Sequence, residues 1–154
     1  MTSISLSSAD ETAALAVRLG AHLKPGDVVL LEGDIGAGKT HFARSMIQSL
    51  LDVVEDVPSP TFTLVQVYET TECEIWHADL YRLTSPDEVV ELGLVDAFDE
   101  AICLVEWPDR LAELKPEDAL TVQFQLGHEA GTRLLNLFSP SPRWKTLIKA
   151  LVDA

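Results

Sequence analysis

An α/β fold with a mixed, mainly parallel sheet is predicted by three features of this sequence. Short apolar runs at residues 28–31 and 101–105 are bounded by turn residues, the pattern of strands buried on both faces. Stretches of helical periodicity at residues 10–23, 39–51 and 144–152 are interspersed with the strand-like runs. Two pairs of strand-like runs are joined by short polar turns and read as hairpins, so the sheet cannot be purely parallel.

The elements follow in order. Residues 10–23 place Ala13, Val17 and Leu19 at apolar positions, with Ser8 or Asp10 as N-cap, and Pro25-Gly26 ends that helix. Val28 to Leu31 is a continuous apolar strand. Residues 39–51 return to helical spacing, with Phe42, Met46, Ile47 and Leu50 on one side. Residues 61–68 and 74–80 form the first predicted hairpin, and Ser85-Pro86-Asp87-Glu88 resembles a helix start with proline near the first turn. Residues 101–105 are another buried strand. Residues 119–126 and 133–138 form a second hairpin, and residues 144–152 a terminal helix. No repeat, low-complexity tract or linker intervenes, so residues 1–154 are expected to make one domain.

Charge narrows the function. Twenty-five acidic residues against eleven basic ones give a formal net charge of −14, and the bases are scattered. Such a surface repels a phosphate backbone, so tight binding of nucleic acid by this chain alone is not expected. No apolar run approaches the roughly 20 residues that cross a bilayer. MTSISLSSADET has neither a basic segment nor an apolar core, so no secretory signal is expected. Cys73 and Cys103 are expected to be free thiols in a reducing cytoplasm.

The most specific stretch is Gly33-Asp34-Ile35-Gly36-Ala37-Gly38-Lys39-Thr40. It satisfies G-x-x-x-x-G-K-[ST], with a strand before it and a helix after it. The glycines let consecutive N–H groups face phosphates at the positive end of the following helix. Lys39 would reach the β- and γ-phosphates, and the Thr40 hydroxyl would ligate Mg²⁺. Joined to the element order, this predicts a P-loop NTPase-like three-layer sandwich.

Such a site needs a carboxylate at the end of a neighbouring buried strand. Ile102-Cys103-Leu104-Val105-Glu106 has that form, four apolar residues and then an acid. Asp79 is the other candidate: strand alternation puts His77, Asp79 and Tyr81 on one face. Spacing leaves open which acid meets the metal and which orients water. Thr61, in the proline-stiffened Pro58-Ser59-Pro60-Thr61, is either a switch residue or part of a rigid entry to the next strand. The four histidines show no metal-ligand spacing and read as structural or surface groups; Trp76 and Trp107 read as core or interface residues.

The single asparagine, Asn136, rules out an Asn-Lys-x-Asp guanine-reading motif. Arginines that would clamp a transferred phosphoryl group are scarce, with Arg82, Arg110 and Arg133 the ones well placed. This favours an ATPase over the alternative, a small-molecule kinase. A nucleotide-dependent binding module that does not hydrolyse is a third reading.

With these residues assembled, the chain resembles the TsaE (YjeE) family of small bacterial P-loop ATPases. The resemblance is collinear over about residues 10–137 and rests on GDIGAGKT, SPTFTLV, HADLYRL and LVEWPDR, in that order. It implies a role in forming threonylcarbamoyladenosine next to the anticodon of tRNA, in support of a TsaD transferase and its TsaB partner. It implies that Gly33 to Thr40 bind ATP, that Thr40 and Glu106 hold Mg²⁺ and that Thr61 acts as a switch. Asp79 would assist hydrolysis, Arg133 would contact the nucleotide, and the loop around Thr12 would touch its adenine side. His41 departs from the family's usual second threonine.

Overall fold

The computed structural model describes residues 1–53, 55–60 and 63–153. Its centre is a seven-stranded sheet in the order β1-β7-β6-β2-β5-β4-β3. The strands are β1 (Thr2–Leu6), β2 (Val28–Glu32), β3 (Val65–Glu69), β4 (Glu74–Asp79), β5 (Ile102–Glu106), β6 (Leu120–Leu126) and β7 (Arg133–Phe138). β6, β2, β5 and β4 are neighbours in parallel, and β3, β7 and β1 are added by antiparallel pairing. Five strands therefore run one way, and only β3 and β7 run the other. The predicted mixed, mainly parallel sheet is present.

β2 is apolar throughout because it lies mid-sheet with both faces covered. Val29 and Leu31 pack with α1 (Ala9–Gly20), α2 (Lys39–Leu50) and α5 (Pro142–Asp153), through Leu15, Leu19, Phe42, Met46, Trp144 and Ile148. Val28 and Leu30 face the other way, onto α3 (Asp87–Glu91) and α4 (Leu94–Glu100), through Val89, Leu94 and Phe98. Helices on both faces of one sheet make the predicted three-layer sandwich.

Three local outcomes differ from the sequence reading. The N-terminal residues form β1, which antiparallel pairing with β7 holds in place; Ser3 Oγ donates to Asn136 Oδ1 at 2.6 Å. The strand expected from residue 61 begins at Val65. Leu64 takes a left-handed conformation (φ 67°), and its N–H donates to the Pro60 carbonyl; residues 61–62 of the expected strand lie outside the described residues. The helix expected after Ser85 is split into α3 and α4 at Gly93, whose φ of 84° suits glycine.

The parallel strands deliver their carboxyl ends to one edge of the sheet. β2 ends there in Glu32, β4 in Asp79 and β5 in Glu106. Open α/β sheets place ligands at this edge.

Candidate functional site

Between β2 and α2 the chain turns through Gly33–Gly38. Gly33 has φ 143°, and a Cβ there would lie 2.8 Å from the Phe124 carbonyl oxygen, so both conformation and space demand glycine. Gly36 and Gly38 also have positive φ. Arg133, at the start of β7, holds the turn from outside. Its Nε donates to the Ala37 carbonyl (2.8 Å), Nη1 to the Thr132 carbonyl (2.8 Å) and Nη2 to the Gly36 carbonyl (3.5 Å).

The helix that follows is left open at its start. α1 is capped by the Ser8 hydroxyl and carries Asp10 and Glu11 in its first turn. α2 begins after Gly38 with no side-chain cap among the described residues and no acid in its first turn. Its first N–H groups lack intrahelical acceptors, and the positive end of the helix dipole faces the cleft. Such an arrangement suits an anion.

Lys39 reaches back over the turn, and its Nζ donates to the Gly33 carbonyl. The same Nζ lies 3.6 Å from the centroid of the Trp107 ring, a cation–π contact. Burial pushes the lysine pKa below its ordinary value, while the carboxylates of Glu106, Asp79, Asp34 and Asp109 pull it back up.

Beside it, Thr40 Oγ1 donates to Glu106 Oε1 at 2.8 Å, and the other carboxylate oxygen of Glu106 meets His77 Nε2 at 2.7 Å. Glu106 is buried, and Asp79 lies directly opposite it in the parallel register of β4 and β5. Asp79 Oδ1 accepts the Tyr81 N–H at 3.1 Å. Burial raises the Asp79 pKa against that hydrogen bond. The negative charge of Glu106 adds to the rise, and His77 and Lys39 oppose it.

Most of these groups line one cleft of about 590 Å³. Of the residues singled out in the sequence, Thr12, Ile35, Gly36, Gly38, Lys39, Thr40, Asp79, Glu106 and Arg133 line it. Gly33, Asp34 and Ala37 shape the turn without lining the cleft. Thr12 lies at the α1 end, with Oγ1 donating to the Ser8 carbonyl. Thr61 lies outside the described residues.

The sequence reading missed three groups, of which Trp107 and His41 line the cleft and His77 lies behind it. His77 is buried against Glu106, as the alternation with Asp79 along β4 hinted. Trp107 packs partly buried against the core, and it also lines the cleft: it follows Glu106 in a left-handed conformation (φ 58°), which turns its ring over Lys39, and the Tyr81 ring lies tilted against it with centroids 4.9 Å apart. A bulky residue at positive φ is uncommon and such outliers gather at functional sites. His41 lines the cleft and is tied through Nε2 to the Ala9 carbonyl at 3.0 Å. Nothing local in the sequence marked the roles of Trp107 and His41.

A glycine turn and an uncapped helix at the carboxyl edge of a three-layer sheet define a P-loop α/β protein. Within that class, residues 6–134 match the family described as Threonylcarbamoyl adenosine biosynthesis protein TsaE, and the chain belongs to that family. Among its relatives is a Rickettsia bellii protein named tRNA threonylcarbamoyladenosine biosynthesis protein TsaE, 42% identical over 121 residues, which are 79% of this chain and 84% of the relative. A Bacillus subtilis protein of the same name is 40% identical over 114 residues, covering 73% of this chain and 70% of the relative. The crystal structure of Bacillus subtilis YdiB superposes with a TM-score of 0.77 at 28% identity, covering 99% of this chain and 94% of that one.

Proposed function

We propose that this chain is the ATP-binding and ATP-hydrolysing subunit of the machinery that makes threonylcarbamoyladenosine in tRNA. It would act in the cytoplasm beside TsaD- and TsaB-type proteins. Membership of the family supports the pathway, and the names its relatives carry point the same way. The observation that carries the ATPase reading is the open start of α2 next to the bonded pair Thr40 and Glu106.

The residues divide the work. The N–H groups of Gly36, Gly38 and Lys39 would hold phosphate oxygens, and the Lys39 ammonium would leave the Gly33 carbonyl for the more strongly charged phosphates. Among the described residues no cluster of three His, Cys, Asp or Glu side chains is placed to hold a metal alone. That suits Mg²⁺, which keeps waters and substrate oxygens around one or two protein ligands. Thr40 and Glu106, 2.8 Å apart, fit that part. Bound Mg²⁺ supplies charge neutralisation between the phosphates.

Asp79 would orient the attacking water through Oδ2, Oδ1 being taken up by the Tyr81 N–H. Its raised pKa suits a group that receives a proton. Arg133 would support the phosphate loop through its carbonyls beside any direct nucleotide contact. Thr12 would border the adenine side and Thr61 would act as the switch. The net charge of −14 fits a subunit that leaves the tRNA to its partners.

The test is phosphate release from ATP by the purified chain, alone and with the partner proteins and tRNA. Slow release that rises with the partners is expected. Transfer of the γ-phosphoryl group to an organic acceptor would instead mark a kinase. A Lys39→Ala variant that loses ATP binding yet leaves multi-turnover tRNA modification intact would overturn the reading.

A further inference from the structure

We infer that His77 is a positioning residue for the magnesium site, holding the Glu106 carboxylate so that Oε1 faces Thr40. The inference rests on the reading of Glu106 as a magnesium ligand and extends it to a residue that never meets the metal.

The geometry runs in a line across three elements. His77 stands on β4 opposite Leu104, and Glu106 comes two residues later on β5, on the same face as Leu104. The imidazole therefore reaches Glu106 diagonally across the strand pair, at 2.7 Å from Nε2 to Oε2. On the far side of the carboxylate, Oε1 takes the Thr40 hydroxyl of α2 at 2.8 Å. One oxygen is anchored to the sheet and the other is presented to the phosphate-loop helix.

The burial of His77 argues that the contact is kept for a purpose. The ring is fully buried, and among the described residues Nδ1 has no hydrogen-bond partner. A buried polar nitrogen without a partner is costly, and an apolar side chain would fill this strand position without that penalty. Because a carboxylate oxygen only accepts, and no acceptor faces Nδ1 among the described residues, the hydrogen belongs on Nε2, where it is donated to Oε2. Glutamate is long and loses much rotamer freedom when fixed. A donor on the rigid sheet orders the carboxylate before the metal arrives, as outer partners of metal ligands do elsewhere.

The experiment uses the full chain loaded with ADP and titrated with Mn²⁺, free Mn²⁺ being read by electron paramagnetic resonance. ADP affinity is measured separately in EDTA. His77→Leu is expected to weaken Mn²⁺ binding by roughly tenfold or more, with ADP affinity in EDTA changed less than about twofold. His77→Gln carries an amide donor near the Nε2 position and is expected to recover most of the loss; His77→Asn, too short to reach Oε2, is not. Glu106→Gln separates the two readings. Unchanged Mn²⁺ affinity there overturns the ligand assignment and the inference with it. Weakened affinity in Glu106→Gln with unchanged affinity in His77→Leu overturns the positioning role alone. Should His77→Leu fail to fold, equal Mn²⁺ affinity in the Gln and Asn variants overturns the role as well.

Discussion

Asp79 and Glu106 face each other across the parallel ends of β4 and β5, yet they are held differently. Glu106 is bonded at both oxygens, to Thr40 and to His77. Asp79 accepts one backbone N–H, and burial raises its pKa, with the charge of Glu106 adding to the rise. Neighbouring carboxylates in unlike settings suit different tasks, and the raised pKa of Asp79 suits it to take a proton.

That raised pKa has a consequence for stability. The unfolded chain releases the Asp79 proton at a lower pH than the folded chain does. Between those two pH values the folded state binds more protons, so this group's contribution to stability falls as pH rises from the ordinary carboxyl value through the raised one. Asp79→Asn removes that loss. In the absence of nucleotide and metal, its melting temperature at pH 7 should exceed the parent's, while ATP hydrolysis falls at least about tenfold. Thermal melts from pH 3 to 8 should show the two curves converging at the acid end.

Glycines of the phosphate loop should differ in cost. Gly33→Ala meets both a left-handed backbone and the Phe124 carbonyl at 2.8 Å, and should destabilise by about 3 kcal/mol. A Cβ at Gly36 meets nothing within 4 Å, so Gly36→Ala should cost only the backbone term, about 1 kcal/mol. Urea denaturation of the two variants measures the difference. Equal midpoints would refute the steric argument at Gly33.

Arg133→Lys keeps the charge and loses the fork that spans the Ala37 and Thr132 carbonyls. Nucleotide affinity should drop about tenfold while the melting temperature shifts by no more than about 4 °C. Titration calorimetry with ADP checks it, and wild-type affinity in the lysine variant would show that charge alone suffices.

Away from the cleft, the Tyr68 hydroxyl is buried and has no hydrogen-bond partner among the described residues, and burial raises its pKa, with Glu55 adding to the rise and Arg44 opposing it. Tyr68→Phe removes an unsatisfied group and should stabilise by about 1 kcal/mol at pH 7. Above about pH 10 the unfolded tyrosine ionises before the folded one, so the parent loses stability with rising pH. The variant should lose less, a difference visible in melts at pH 9 and 11.

Much of the site was legible because its chemistry is local. GDIGAGKT must be contiguous, since one turn supplies every N–H and the lysine that follows. Glu106 was legible as an acid ending an apolar run, and Asp79 from alternation along β4. His77 was visible only as a neighbour of Asp79, because its partner arrives from another strand. Trp107 read as core or interface, and its place over Lys39 stayed hidden because the left-handed turn that swings it there leaves no mark in composition. β1 went unread because its short alternating run is held by β7, at the other end of the described chain.

By itself, then, the sequence determined the layered α/β order, the phosphate turn and its family, since periodicity, glycine spacing and short ordered motifs are properties of contiguous residues. Only the tertiary structure decided the order β6-β2-β5-β4 and, through it, that Glu106 stands between His77 and Thr40 with Asp79 beside it. Those relations depend on strand register between segments distant in the chain. Register is settled by the burial of whole faces, which no single stretch of sequence contains.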